Sequence, residues 1–275
     1  MPGAPSETAR PAYDARMRLH AMHDARTLAA IARLAAPPLC EWMAAPLASP
    51  GQPLGCFAQG NLLRHDFAFD AELPGDWIFA WSGSLAAEMT EVSPLNWMRG
   101  PDMLDAACAS LGPQFVRHGR RLLLVPHARH VLSDARSALT WWCTHVIPGQ
   151  ELRPDTRAPA GDRAFGLAFD PLAMLEPSML ADASDHLHAL FASIGVRADA
   201  VILRGWKPVA DAAAASATVP AADAAVPAMT TCAWDDSAVS LADLRALIAQ
   251  FVDPAVPVLI PGQAVAQAKQ ALGVG

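Results

Sequence analysis

The sequence predicts an α/β protein with a mixed, mostly parallel sheet, flanking helices, and an antiparallel hairpin near the N-terminal third. Two observations carry that prediction. Short apolar runs at residues 77–81, 122–126, 164–169, 200–204 and 256–260 read as buried strands. Between most of them lie segments with apolar residues at helical spacing, the alternation expected of βαβ units. The sequence does not fix strand order, so an open layered sheet and an irregular barrel both fit.

Taken in order, residues 12–35 lack proline and glycine and are rich in alanine, which predicts a helix stopped by Pro37 and Pro38. Residues 36–55 hold five prolines and two glycines and read as loop. Gln59-Gly60-Asn61 looks like a turn between two short strands. The second strand alternates, with Leu63, His65, Phe67, Phe69 and Ala71 on one face. Trp77–Trp81 is a continuous apolar strand, and Ser82-Gly83-Ser84 is expected to open a short helix. Helices follow from Pro101 to Gly112, over 128–142, and from Ser178 to a glycine cap at Gly195. Ser240-Leu-Ala-Asp243 is an N-cap pattern leading a helix through Phe251, and the tail is a last helix.

Four segments result: a helix over 1–36, an α/β body over 37–208, a linker or surface excursion over 209–230, and a helix-strand-helix unit over 231–275 that can join the same sheet. Residues 209–230 stand apart because eleven of the twenty-two are alanine and none is basic or aromatic.

At 275 residues with 53% apolar content the chain can bury a full core. Its net charge of −7 argues against nucleic-acid and membrane-surface partners, leaving a small molecule or a protein partner. Eighteen arginines against two lysines, together with abundant alanine, read as the coding bias of a GC-rich bacterium. Five scattered cysteines without a CxxC pair suit reduced thiols, and no signal-peptide pattern or spanning apolar run appears. The expectation is a soluble, cytoplasmic protein.

Residues 117–136 gather five arginines and three of the nine histidines around one strand. Ligands in α/β proteins sit at the carboxyl ends of strands, which divides this cluster. Arg117, Arg120 and Arg121 precede the strand and read as a solvated loop, whereas His127, Arg129 and His130 follow it. If a helix starts at His127, then His127, His130 and Asp134 share one edge and could serve as acid, base or metal ligands. HxxH is weak evidence, since His20-Ala-Met-His23 repeats it, and helix surface or packing is the plainer reading.

The same strand-end rule selects Asp170 as an acid-base group or a simple N-cap, and Arg204 and Lys207, beside Trp206, as anion-binding groups. Arg129 is a further anion-binding candidate, and His65 is either a core histidine or a pocket group. HExxH, GxSxG, GxGxxG and GxxxxGK[ST] are all absent, so no cofactor is assigned. Two function classes follow. One is an enzyme acting on a small anionic metabolite through His/Asp acid-base or metal-assisted chemistry. The other is a non-catalytic binding or assembly subunit with a contact surface drawn from its eight tryptophans.

Overall fold

The computed structural model describes residues 17–24, 40–47, 52–64, 67, 69–153, 156–158, 163–209 and 228–273. Eight strands close into a barrel: β1 (Arg18–Asp24), β2 (Cys40–Pro46), β3 (Gly55–Ala58), β4 (Trp77–Trp81), β5 (Arg121–Val125), β6 (Phe165–Phe169), β7 (Ala200–Ile202) and β10 (Pro257–Pro261). From β3 through β4, β5, β6, β7 and β10 to β1 every pairing is parallel, while β2 runs antiparallel to both β1 and β3. The fold is thus mixed α/β with an antiparallel element at the front, and the sheet is a closed barrel with no free edge.

Side-chain parity sorts each strand between two cores. Met22, Ala44, Phe57, Phe79, Leu123, Val125, Ala168, Ala200, Ile202 and Leu259 form the interior cluster. Small residues there face large ones, and Phe57 stacks on Phe79 with ring centroids 5.5 Å apart. The alternate residues, among them Ile78, Leu122, Leu124, Leu167, Val201 and Ile260, point outward into the larger cluster under the helices.

Six α-helices belong to the described chain: α1 (Leu95–Met98), α2 (Gly100–Arg117), α3 (Ala135–His145), α4 (Ala183–Ser193), α5 (Leu241–Phe251) and α6 (Val265–Leu272). In α2, Leu104, Cys108, Leu111 and Phe115 keep the spacing of a single buried face. Ser240 caps α5 by accepting the Asp243 N–H, as the sequence suggests.

Several expectations give way. Residues 18–24 form β1 rather than part of a helix. His20 and Met22 take interior positions and Leu19 an exterior one, so pairing with β10 and β2 overrides the helical preference of alanine and methionine. Residues 40–46, within the stretch read as loop, form β2. The partner of β3 is β2, not the alternating segment 63–71, whose described residues form no strand. No helix opens at Ser84; residues 82–94 are a long loop before α1.

The helix expected to stop at Gly112 runs on through Pro113, because Gly112 serves close packing on the Phe165 ring and the left-handed turn falls at Gly119, with φ of 61°. A hairpin of β8 (Gly205–Pro208) and β9 (Met229–Cys232) was not foreseen, and it claims the last residues of the supposed linker. Residues 210–227 of that linker lie outside the described residues, as do 1–16 and 25–39.

Gly55 sits where the β3 and β4 backbones approach closely. A Cβ there would overlap the Trp77 carbonyl oxygen, a backbone atom pinned by the β3–β4 pairing. Gly55→Ala is expected to cost about 2 kcal/mol or more, read as a lowered urea midpoint with unchanged m-value.

Candidate functional site

The parallel strands bring their carboxyl ends to one mouth of the barrel, and interior parity continues beyond the strands. Two residues past Phe79 comes Trp81, past Val125 His127, past Ala168 Asp170, and past Ile202 Arg204. Asp170 is fully buried. Its Oδ1 accepts the Ala173 N–H at 3.2 Å, and its Oδ2 accepts Arg204 Nε at 2.9 Å and Nη2 at 2.7 Å. Burial raises the Asp170 pKa, while the Arg204 charge and the hydrogen bonds of Arg204 and Ala173 pull against that rise. The Trp206 indole also favours the carboxylate, although its N–H falls short of full hydrogen-bond geometry.

Three aromatic rings hold the guanidinium, with Arg204 Cζ lying 5.1 Å from the Trp81 centroid, 5.5 Å from Trp206 and 5.8 Å from Phe57. Arg204 lines a cavity of about 480 Å³ whose other walls include Trp42, Trp81, Thr90, Thr231 and Gln263. The β8–β9 hairpin covers it, fastened by the Trp206 N–H to Ser237 Oγ and the Ala238 N–H to the Trp206 carbonyl. Cys232 also faces the cavity, and burial raises its thiol pKa, so it has no nucleophilic activation.

His127 and His130 sit behind this cavity on an irregular loop. The expected helix begins later, at Ala135, because Asp134 caps it in a reciprocal capping box with Ser137. Asp134 is therefore exposed at a helix start and apart from the histidines, so the shared helical edge does not exist. Among the described residues no three His, Cys, Asp or Glu side chains converge as a metal site.

The two imidazoles stack at 4.5 Å, and each meets Trp81 edge-on at 5.4 Å. The Arg129 N–H donates to His127 Nδ1 at 3.1 Å, so neutral His127 carries its proton on Nε2. His130 Nε2 donates to the Met89 carbonyl at 3.0 Å, and its buried Nδ1 has no hydrogen-bond partner among the described residues. Burial, then the neighbouring charges of His130, Arg204 and Arg129, hold the His127 pKa well below its ordinary value. Burial takes His130 down to about 4.

The remaining candidates have other partners. Arg129 grips Glu176 with Nε and Nη2, at 2.9 and 2.8 Å, and donates Nη1 to the Thr90 carbonyl. It clamps two loops instead of waiting for an anion. Lys207 is half-exposed, 3.5 Å from Asp236. His65 lies outside the described residues. Arg121 is not part of a solvated loop: with Arg163 it pairs with buried Asp199 at the opposite, amino end of the barrel.

Sequence reasoning missed Trp42, Phe57 and Thr90 as cavity walls, and Glu176 as the Arg129 partner. Parity alone could have found Phe57, two residues beyond interior Gly55. Trp42 was hidden because its strand read as loop.

No protein-family description matches the chain, and no curated protein does. Among solved structures it is similar to a xylose isomerase-like TIM barrel protein from Mycobacterium smegmatis, crystallised with magnesium. The TM-score is 0.39 and the identity 11%, over 72% of this chain and 60% of that one. It is also similar to a protein from Sinorhizobium meliloti 1021, with TM-score 0.39 and 15% identity, over 73% of this chain and 65% of the other. The chain thus spans less than two thirds of the length of either neighbour. No helix among the described residues is long and apolar enough to cross a membrane.

The buried histidines impose a pH dependence. Below its ordinary pKa of 6.5 the unfolded chain protonates His130, whereas the folded chain resists until about pH 4. Stability therefore falls as pH drops from 6.5 to 4, by on the order of 3 kcal/mol from this residue, with His127 acting in the same direction. Urea unfolding at several pH values should show His130→Gln with a shallower decline than the parent across that interval.

Proposed function

We propose that this chain binds a small anionic metabolite at the carboxyl-terminal mouth of its barrel, with Arg204 holding the anion. The observation behind this reading is the state of the guanidinium. Nε and Nη2 are committed to Asp170, three aromatic rings fix its plane, and Nη1 has no hydrogen-bond partner among the described residues beside a cavity of about 480 Å³. A preorganised arginine loses little freedom when it receives a carboxylate or phosphate oxygen. The indoles of Trp42 and Trp81 and the Phe57 ring suit a flat apolar body, while Thr90, Thr231 and Gln263 offer hydrogen bonds to polar substituents.

Binding is the part of the reading that the geometry supports best. Proton transfer at this mouth would fall to His127, neutral and with Nε2 carrying the proton. Its ring packs at 5.4 Å from Trp81 and 5.6 Å from Trp206, both of which stand between it and the cavity. Catalysis through His127 therefore requires those indoles to shift when ligand enters.

The test is a titration of tryptophan fluorescence with aromatic carboxylates, aliphatic dicarboxylates and sugar phosphates. At least one class is expected to bind, and Arg204→Gln combined with Asp170→Asn, which keeps the buried site neutral, should weaken that binding by about 10- to 100-fold. Thr231→Trp should block the cavity while leaving the ion pair intact. Binding that survives both variants overturns the assignment.

A further inference from the structure

Helix α1 is built inside out. Between Val92 and Gly100 the buried positions are Ser93, Asn96 and Gly100, at the spacing of a helical face, and they are polar or small. The apolar residues are the exposed ones: Val92 at 44%, Leu95 at 44%, Trp97 at 60% and Met98 at 73%, with Met103 of the next helix at 38%. A helix that serves only its own fold turns the opposite way.

Asn96 explains how the arrangement holds without apolar anchoring. Its Oδ1 accepts the Leu85 N–H at 2.6 Å, and its Nδ2 donates to the Arg129 carbonyl at 2.8 Å and to Ser84 Oγ at 3.1 Å. The helix is fastened chiefly by this amide, with a longer bond from Trp97 Nε1 to Ser133 Oγ at 3.4 Å, and its large side chains contribute little to the interior.

We infer that this face is the contact through which a second copy of the chain docks, independently of what the barrel mouth binds. The exposed Val92 and Trp97 also wall a cavity of about 630 Å³, together with His130, Pro177 and the paired Arg129 and Glu176. Val92 and Trp97 belong to both the apolar patch and the cavity wall, so patch and hollow adjoin on one face. A two-fold axis then places Met98 of each copy in the hollow of the other, and the assembly closes at two.

The area fits such a contact. The five exposed side chains leave on the order of 400–500 Å² of apolar surface, the size at which a patch marks an interaction site. That is somewhat more than half of the roughly 800 Å² that each partner buries in a standard interface. Exposed Glu88, Glu91, Arg99 and Asp102 supply charges of both signs nearby for a polar rim. The preponderance of carboxylates there disfavours an anionic membrane surface as the occupant.

Sedimentation velocity of the full chain from about 1 to 100 µM tests the inference. A two-copy species is expected, weakened on the order of 100-fold by Met98→Lys. The variant should keep its thermal unfolding as a dilute monomer, since Met98 is largely in water. Leu95→Lys should act in the same direction, and Val116→Lys, on exposed surface at the far end of α2, should leave the dimer intact. A monomer at every concentration overturns the proposal, as does a dimer indifferent to both Met98→Lys and Leu95→Lys. Co-sedimentation of a monomeric chain with anionic vesicles would overturn it in favour of a membrane partner.

Discussion

Closure of the barrel is the constraint on which the rest of this molecule depends. Each barrel strand has neighbours on both sides, so its residues divide between the interior and the layer beneath the helices, and register shifts only between Cys40 and Trp42 in the β2–β3 pairing. Interior space is then shared among residues of different size: Ala44, Ala168 and Ala200 leave room that Phe57, Phe79 and Leu123 fill. The close backbone approach of β3 to β4 belongs to the same constraint, because a wall without an edge cannot relax by splaying one strand outward. Parity does not end where hydrogen bonding ends. It carries Trp81, His127, Asp170 and Arg204 over the mouth as a further interior layer, and this layer exchanges hydrocarbon for charge and aromatic rings.

That exchange is electrostatically expensive, and the arrangement shows how the cost is limited. A fully buried carboxylate is tolerable only with a cation and further donors, and Asp170 has the Arg204 guanidinium and the Ala173 amide. Two imidazoles nearby remain neutral: burial disfavours a proton on either, and at His127 the neighbouring His130, Arg204 and Arg129 add like-charge repulsion. The histidines are thus shaped by their surroundings into rigid hydrogen-bonding wall elements. Through His130 to Met89 and Arg129 to Thr90, this wall secures the loop that separates the two cavities.

How much of this was legible in the sequence follows from how local each determinant is. Continuous apolar strands such as Trp77–Trp81 announce themselves because burial on both faces leaves no polar alternative. The Ser240 cap is local chemistry and was equally plain. Arg18–Asp24 was opaque, because a strand whose interior residues are His20 and Met22 carries no apolar alternation, and its identity comes from β10, more than two hundred residues away. The strand-end rule chose Asp170 and Arg204 by position, yet their pairing depends on β6 and β7 being neighbours, which strand order alone decides. Arg129 looked like an anion-binding group because Glu176, its partner, is 47 residues distant and met only through folding.

Asn96 links the two ends of the story. The carbonyl it holds belongs to Arg129, and the hydroxyl it holds belongs to Ser84, three residues beyond the strand that ends in Trp81. A single buried amide thus ties an apolar outer helix to the loops behind the barrel mouth. Removing its partners one at a time would leave a buried donor or acceptor unsatisfied, which costs more than the bond itself contributes. The position of α1 is consequently set by the mouth's own scaffold. Any load placed on its exposed face is borne by the same loops that support Trp81 and Arg129.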